Sequence, residues 1–443
     1  MKDFVDFAFR PLIDGFYEDK ISSLREQIIL KKDTYYFDWT ASGLANSLIE
    51  NRITEILPFY ANTHSNSATS AMMMQKLYDE SKKVIKNSLG LSDDFVLIAC
   101  GSGSTSAIKK FQELLGIYIP PEAKKFVEIK QDLLPIVVVG SFEHHSNEVS
   151  FREGLCEFYR IPLCDNLDFD LLYFEEVLKR NENRKIIFSC NLISNVTGNL
   201  APYQELIDLA RKYKCIIALD MATSSTDYVI DSKNFDACFL SPHKLLGGIG
   251  SCGILCIRES FIDVANAPTF AGGGVVSYVD RKTQIYSLDK HIREEAGTPP
   301  ILQLFKAALA YKLRDEVGIE FIAQRKRVLM RLLMQKLKSL KGIKIYGKEE
   351  HLGIVSFNIL GVSPFELAYF LSKHYKIQTR AGCSCAGPYG HDLLELQDGV
   401  YRGEKDPYGW LRISIHYTHT LQDIEYLFEV LKKAIGILNP KLV

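Results

Sequence analysis

The chain has 443 residues, 47% of them hydrophobic and 24% charged, and its 53 Lys and Arg against 54 Asp and Glu leave a formal net charge of -1. That length and mix suit a soluble globular protein of about two or three domains. The near-zero charge leaves no electrostatic footprint for nucleic acid or an anionic membrane. No window is apolar long enough to span a bilayer, and the acid-studded start MKDFVDFAFRPLIDGFYEDK does not read as a secretion signal.

From about residue 95 to 257 short apolar runs alternate with helical patterns. FVLIAC, PIVVVGSF, KIIFSCNLI, CIIALD, DACFL and GILCI read as strands. YQELIDLARKYK, between the third and fourth, has helical spacing and ends in cations, as a crossover helix should. The alternation predicts an α/β fold with a mostly parallel sheet covered on both faces. After TPPILQLFKAALAYKL the pattern changes to a long basic helix, FIAQRKRVLMRLLMQKLKSL, then strands GIKIYG and GIVSFNIL, helix FELAYFLSKHYK, strand WLRISIHY and a final helix DIEYLFEVLKKAIGIL. This is an α+β unit. The apolar residues of the basic run recur at helical spacing, which marks a solvated helix face rather than a nucleic-acid surface.

Ten cysteines in so long a chain are not a disulfide framework. Cys190, Cys215, Cys238, Cys252 and Cys256 lie inside apolar runs, as buried reduced thiols of a cytoplasmic protein would. Cys383 and Cys385 differ, sitting in a glycine-bounded turn. A C-x-C near His391 permits a metal site, but no second cysteine pair accompanies it, and no metal is expected.

Candidate functional residues gather where the strand-like runs end. In FLSPHKLLGGIG, Lys244 follows DACFL directly. It is either a solvated loop lysine or a desolvated one able to form a Schiff base in the crevice outside the carboxyl ends of a sheet. CGSGSTSAI opens a helix after FVLIA, with Ser104 and Thr105 at its N-terminus. It reads as an anion cradle or a plain small-residue cap. Asp220 closes CIIALD and needs a partner, either the next helix's N–H groups or a heterocyclic nitrogen that must stay protonated. His144 of GSFEHHSN offers a ring to lie over a flat cofactor, or is a core or turn histidine. Asn195 of NLISNVTGN can bond a phenolic oxygen, or is a turn residue.

Taken in order, SGSTS, EHHSN, SNVTGN, the aspartate after a strand, SPHK, EEAGTP and RAGCSCAGP resemble the fold-type I, class V family of pyridoxal 5'-phosphate enzymes, and within it the cysteine desulfurases and selenocysteine lyases. The resemblance runs from TYYFDWTASG to the C-terminal helix. It implies a large cofactor-binding domain over 34–310 with a seven-stranded sheet, a small α+β domain over 311–443, and an N-terminal segment 1–33 packing with the small domain. It makes Lys244 the Schiff-base lysine and general base, Asp220 the partner of the pyridine nitrogen, His144 the stacking ring and a proton relay, and Asn195 a neighbour of the phenolic oxygen. Ser104, Thr105, Ser241 and His243 would hold the phosphate, joined by Thr298 from a second subunit, which implies a homodimer. Arg412 would clamp a substrate carboxylate, with Arg380 a second anion contact. Thr223 stands where the family usually has a glutamine that reaches the phenolic oxygen.

Cys385 decides the expected reaction. RAGCSCAGP puts it where the sulfur-accepting nucleophile of a desulfurase stands, which would convert L-cysteine to L-alanine and pass the persulfide to an acceptor protein. Cys383 would take the persulfide or simply pack. The alternative is another class V reaction, transamination, racemisation or carbon-sulfur lysis, that needs no cysteine. The segment GPYGHDLLELQDGVYRGEKDPYG separates Cys385 from Arg412 by more residues than in compact-loop desulfurases, so a remodelled mouth is expected.

Overall fold

A computed structural model describes residues 2–13, 19–400 and 408–442. Its central sheet follows from strands that are apolar on both faces. In β1 (Phe95–Cys100), Phe95 and Leu97 face one hydrophobic cluster while Val96, Ile98 and Cys100 face another. In β2 (Ile136–Val139), Ile136 and Val138 turn one way, Val137 and Val139 the other. Alternate side chains point to opposite faces, so a sheet of such strands must be covered on both sides.

The remaining strands are β3 (Glu157–Arg160), β4 (Ile186–Asn191), β5 (Ile216–Asp220), β6 (Ala237–Leu240) and β7 (Gly253–Arg258). The sheet order is β1-β7-β6-β5-β4-β2-β3. Strand β7 is antiparallel to both β1 and β6, and the β6 to β3 run is parallel. All strands but β7 therefore end on one edge of the sheet. All six runs read from the sequence are strands; β3, EFYR, was missed because it is a half-buried edge strand and carries charges instead of an apolar run.

One face of the sheet is packed by α1 (Thr69–Ser88) and the apolar helix later in the chain, Ile301–Val317. On the other lies α2 (Gly103–Leu114), with α3 (His145–Arg152) beside it. The expected crossover helix is α4 (Tyr203–Lys212), which carries Arg211 and Lys212 in its last turn. The apolar 301–317 stretch is α5, and the basic run is α6 (Ile319–Lys338), whose Leu329, Met330, Leu333 and Leu337 are buried in a separate core.

That separate core belongs to a four-stranded antiparallel sheet of β8 (Ile343–Ile345), β9 (Ile354–Ile359), β10 (Arg380–Gly382) and β11 (Trp410–Ser414), in the order β8-β9-β11-β10. It is backed by α7 (Pro364–Tyr375) and α8 (Leu421–Leu438). The N-terminal segment buries Phe4, Ala8, Leu12, Ile21 and Leu24 in the core of the large sheet and meets the small unit through an ion pair. The helix Lys2–Ala8 packs on α1, whereas Arg25 reaches Asp423 at the start of α8. Residues 35–37 lie in the second unit rather than the first. Tyr35–Tyr36 pair in parallel with Ile377–Gln378, Phe37 is buried in the core of the small sheet, and Ser414 N donates to Phe37 O at 2.8 Å. Residues 401–407, within the long segment after Cys385, lie outside the described residues. Among the described residues no helix is long and apolar enough to cross a membrane.

Candidate active site

The carboxyl edge of the large sheet meets the small sheet across a cleft of about 550 Å³. Lys244 stands in the tight turn Pro242–Lys244 after β6, and its Nζ lies 3.4 Å from Thr223 Oγ1. Burial lowers its pKa from 10.5 to about 8. Asp220 pulls the other way and Arg412 adds to the lowering, so the ammonium is poised to lose its proton near neutrality.

Asp220 is the last residue of β5, 2% exposed, with Oδ1 accepting from Ala222 N at 3.0 Å. Burial raises its pKa, offset by that bond and by Lys244. A carboxylate this enclosed with one backbone bond has acceptor capacity to spare on the cleft side, where both it and Lys244 line the wall.

Against the turn that precedes Lys244, α2 begins with Gly103 in the left-handed region, φ 59°. A Cβ there would lie 3.1 Å from Ser241 Oγ and 3.5 Å from His243 Nε2, so only glycine lets this helix start sit against the SPH turn. Ser104 N donates to Ser241 Oγ at 2.8 Å, and Thr105 Oγ1 is 2.7 Å from Ser146 Oγ. Burial, then Lys244, lowers His243 to about 4, so it is a neutral imidazole. A helix N-terminus ringed by hydroxyls is a ready anion site.

His144 is the N-cap of α3: its Nδ1 accepts from Ser146 N at 3.1 Å, which leaves the proton of the neutral ring on Nε2. Burial lowers it to about 4, with Lys244 and His145 contributing. Asn195 is buried; its Nδ2 donates to Ser384 O at 2.7 Å and its Oδ1 has no partner. That orphaned amide oxygen at the cleft wall is the kind of atom a bound group or its water satisfies.

The small sheet supplies Arg380 and Arg412, directly opposite one another on β10 and β11. Arg412 is 2% exposed, donating from Nη1 to Asn195 O and from Nη2 to Asp38 Oδ1, both at 2.9 Å, while its Nε has no partner. Cys385 lies on the cleft wall in the loop after β10 and is exposed. It and Ser384 both have φ 56°, an unfavourable region for side-chain-bearing residues, and the turn is held by His145 N donating to Cys385 O at 2.8 Å and Gly387 N donating to His145 Nε2 at 2.7 Å. Cys383 does not line the cleft.

Of the expected site residues only Thr298 stands apart. It is exposed and lies outside this chain's own cleft. Thr223 Oγ1 lies 3.4 Å from the Lys244 amine. The sequence reading missed Asp38, which links both arginines, and Glu143. The Glu143 carboxyl accepts from Asn191 N at 2.8 Å and Asn147 Nδ2 at 2.6 Å behind His144, and burial pushes it up to about 8. The signal for Asp38 was available, since the acid of FDWTAS is flanked by aromatic residues and must be paired if buried. Among the described residues no three His, Cys, Asp or Glu side chains converge to hold a metal ion.

A lysine with a lowered pKa, a buried carboxylate, a neutral imidazole and a hydroxyl-ringed helix N-terminus gather at the ends of parallel strands, and the residues present fit a flat aldehyde cofactor bearing a phosphate, pyridoxal 5'-phosphate. The chain belongs to the aminotransferase class-V family, whose pattern matches residues 35–427, and is an enzyme of that family. It is 27% identical over 428 residues to a probable cysteine desulfurase of Pyrococcus abyssi, covering 94% of this chain and 98% of that protein. It is 29% identical over 260 residues to a cysteine desulfurase of Salmonella choleraesuis, 57% of this chain and 62% of the relative. Its fold is that of the cysteine desulfurase of Thermococcus onnurineus in apo form (TM-score 0.79, 23% identity, 96% of this chain and 100% of the other). The Escherichia coli cysteine desulfurase CsdA shares it too (TM-score 0.76, 20% identity, 96% and 100%). The fold-type I architecture implied by the sequence motifs is thus the observed one.

Proposed function

We propose that this protein is a pyridoxal 5'-phosphate-dependent cysteine desulfurase, converting L-cysteine to L-alanine and leaving the sulfur on Cys385. The observation that carries the reading is the position of Cys385, on the lip of the cleft that holds Lys244 and near enough for its charge to bear on the lysine.

Lys244 would carry the cofactor and, once released by substrate, move the proton at the substrate α-carbon. Asp220 would hold the ring nitrogen protonated. Ser104, Thr105, Ser241 and His243 would cradle the phosphate, and Asn195 and Thr223 would face the phenolic edge. When bound, the cofactor supplies an electron sink for the substrate carbanion. Neutral His144, its tautomer fixed by the cap, would lie on the ring and offer Nε2–H to a proton-accepting atom. Arg412 would receive the substrate carboxylate on its spare donors, with Arg380 beside it. The Cys385 thiolate would then attack the sulfur of the substrate. The new S–S bond forms as the carbon–sulfur bond breaks, its electron pair stays with carbon, and a proton completes the methyl group of alanine. L-Cysteine and the enzyme thiol thereby give L-alanine and an enzyme persulfide.

A homodimer in which Thr298 completes the partner's phosphate cradle, a cytoplasmic setting, a protein that accepts the sulfur, and a division into 34–310 and 311–443 domains, with 35–37 joining the second, all belong to the same proposal. The deciding experiment incubates the protein with L-cysteine and a reductant and measures sulfide and alanine, with alanine plus pyruvate as a transamination control. Equal sulfide and alanine support the reading; pyruvate-dependent turnover without sulfide refutes it. Sedimentation showing an active monomer would refute the dimer.

A further inference from the structure

Two guanidinium groups directly opposite one another on antiparallel strands repel, and the structure resolves this with one buried carboxylate. Arg412 Nη2 donates to Asp38 Oδ1 at 2.9 Å. Arg380 Nε reaches Oδ1 at 3.2 Å and Oδ2 at 3.0 Å, and Arg380 Nη2 is 2.9 Å from Oδ2. Asp38 is 8% exposed and does not line the cleft, whereas both arginines do. The two arginines are therefore not equivalent. Arg412 retains an unpartnered Nε, whereas Arg380 turns its Nε and Nη2 edge to Asp38.

We infer that Asp38 is a specificity-determining residue: by masking Arg380 it leaves this end of the cleft with one net positive charge. The cleft then suits an amino acid with a single carboxylate and an uncharged side chain, and disfavours a second acid group. The inference rests on the proposed role of Arg412 as the carboxylate contact and deepens it by naming the substrate class. Neutralising Asp38 would free the fork of Arg380 and add an uncompensated cation beside Arg412, which is what a dicarboxylic amino acid needs.

The test measures dissociation constants for L-alanine and L-aspartate by calorimetry, on cofactor-loaded protein with cofactor-free protein in parallel. Asp38→Asn, which keeps the shape and one acceptor oxygen, should shift the alanine-to-aspartate preference toward aspartate by about tenfold, and adding Arg380→Gln should reverse the shift. Arg380→Gln alone leaves Asp38 facing Arg412 by itself, so the net charge falls from one to zero and the preference should move further toward alanine, by about threefold. A preference unmoved by Asp38→Asn, or moved and not restored by Arg380→Gln, overturns the inference. Should Asp38→Asn fail to fold, Arg380→Lys at its half-exposed position decides. A single ammonium cannot grip both Asp38 oxygens, so aspartate should gain about threefold, and no gain overturns the inference. A parent that makes no alanine from L-cysteine would sink the desulfurase reading while leaving these ratios meaningful.

Discussion

The two ends of the cleft are built differently. The end proposed to hold the cofactor is made of strand termini of one sheet and the starts of the helices beside it. Asp220 closes β5, Lys244 follows β6, Ser104 and Thr105 open α2, and His144 caps α3. Each side chain is aimed by local backbone geometry, and the surrounding burial tunes the groups at once, lowering the lysine and both histidines. The substrate end is assembled from three distant stretches. Asp38 comes from the start of the chain, Asn195 from the loop after β4, and Arg380, Cys385 and Arg412 from the small sheet, tied by bonds spanning up to 374 residues. The first end is prefabricated by secondary structure and the second exists only when the two units are docked, so substitutions should act on them separately.

The largest effect is expected at Lys244. Lys244→Ala should abolish covalent attachment of the cofactor, read by borohydride trapping and mass spectrometry, and lower turnover by about 10³-fold or more. Trapping on a different lysine would break the assignment of this end. Cys385→Ala should lose about 10²-fold in sulfide and alanine formation while the cofactor absorption and L-alanine affinity stay at parent values. Cys383→Ala should change activity by no more than about threefold. An active Cys385→Ala protein would remove the substrate end's defining chemistry.

Gly103→Ala probes the cradle alone. Its new Cβ must displace Ser241 Oγ from an already left-handed residue, so cofactor affinity should fall about tenfold and stability by about 1–2 kcal/mol, with the Cys385 loop unaffected. Equilibrium dialysis against the cofactor checks the first and thermal melting the second. The smallest effect is a pH dependence in the cofactor-free protein. Because folding depresses Lys244 from 10.5 to about 8, its buried charge costs stability below pH 8, and the cost disappears as pH rises from 8 to 10.5. Lys244→Met should therefore melt about 2–4 °C higher than the parent at pH 7, with the gap closing through that window. Melting curves at pH 7 and pH 10 that differ equally between the two proteins would contradict it.

The sequence by itself determined the cofactor end. Six apolar runs with two buried faces force a sheet covered on both sides, and polar residues placed immediately after such runs have nowhere to go but its carboxyl edge. That is why Lys244, Asp220, His144 and Ser104 could each be placed near a strand end from local context, while each kept a plain structural alternative that only their order along the chain, resembling the class V family, removed. Strand β3 escaped because an edge strand need not be apolar. At the substrate end the resemblance named Arg412, Arg380 and Cys385, and tertiary structure alone supplied Asp38. FDW marks Asp38 as an acid that needs a partner if buried, but does not indicate that Phe37 will be buried in the core of the small sheet, or that its backbone will accept from Ser414 and so carry Asp38 between two arginines more than 340 positions away. Periodicity reports which face of an element is buried, but not which remote charge will neutralise a buried one. That pairing is chosen only when docking buries the Asp38 carboxylate and brings the two guanidinium groups to it.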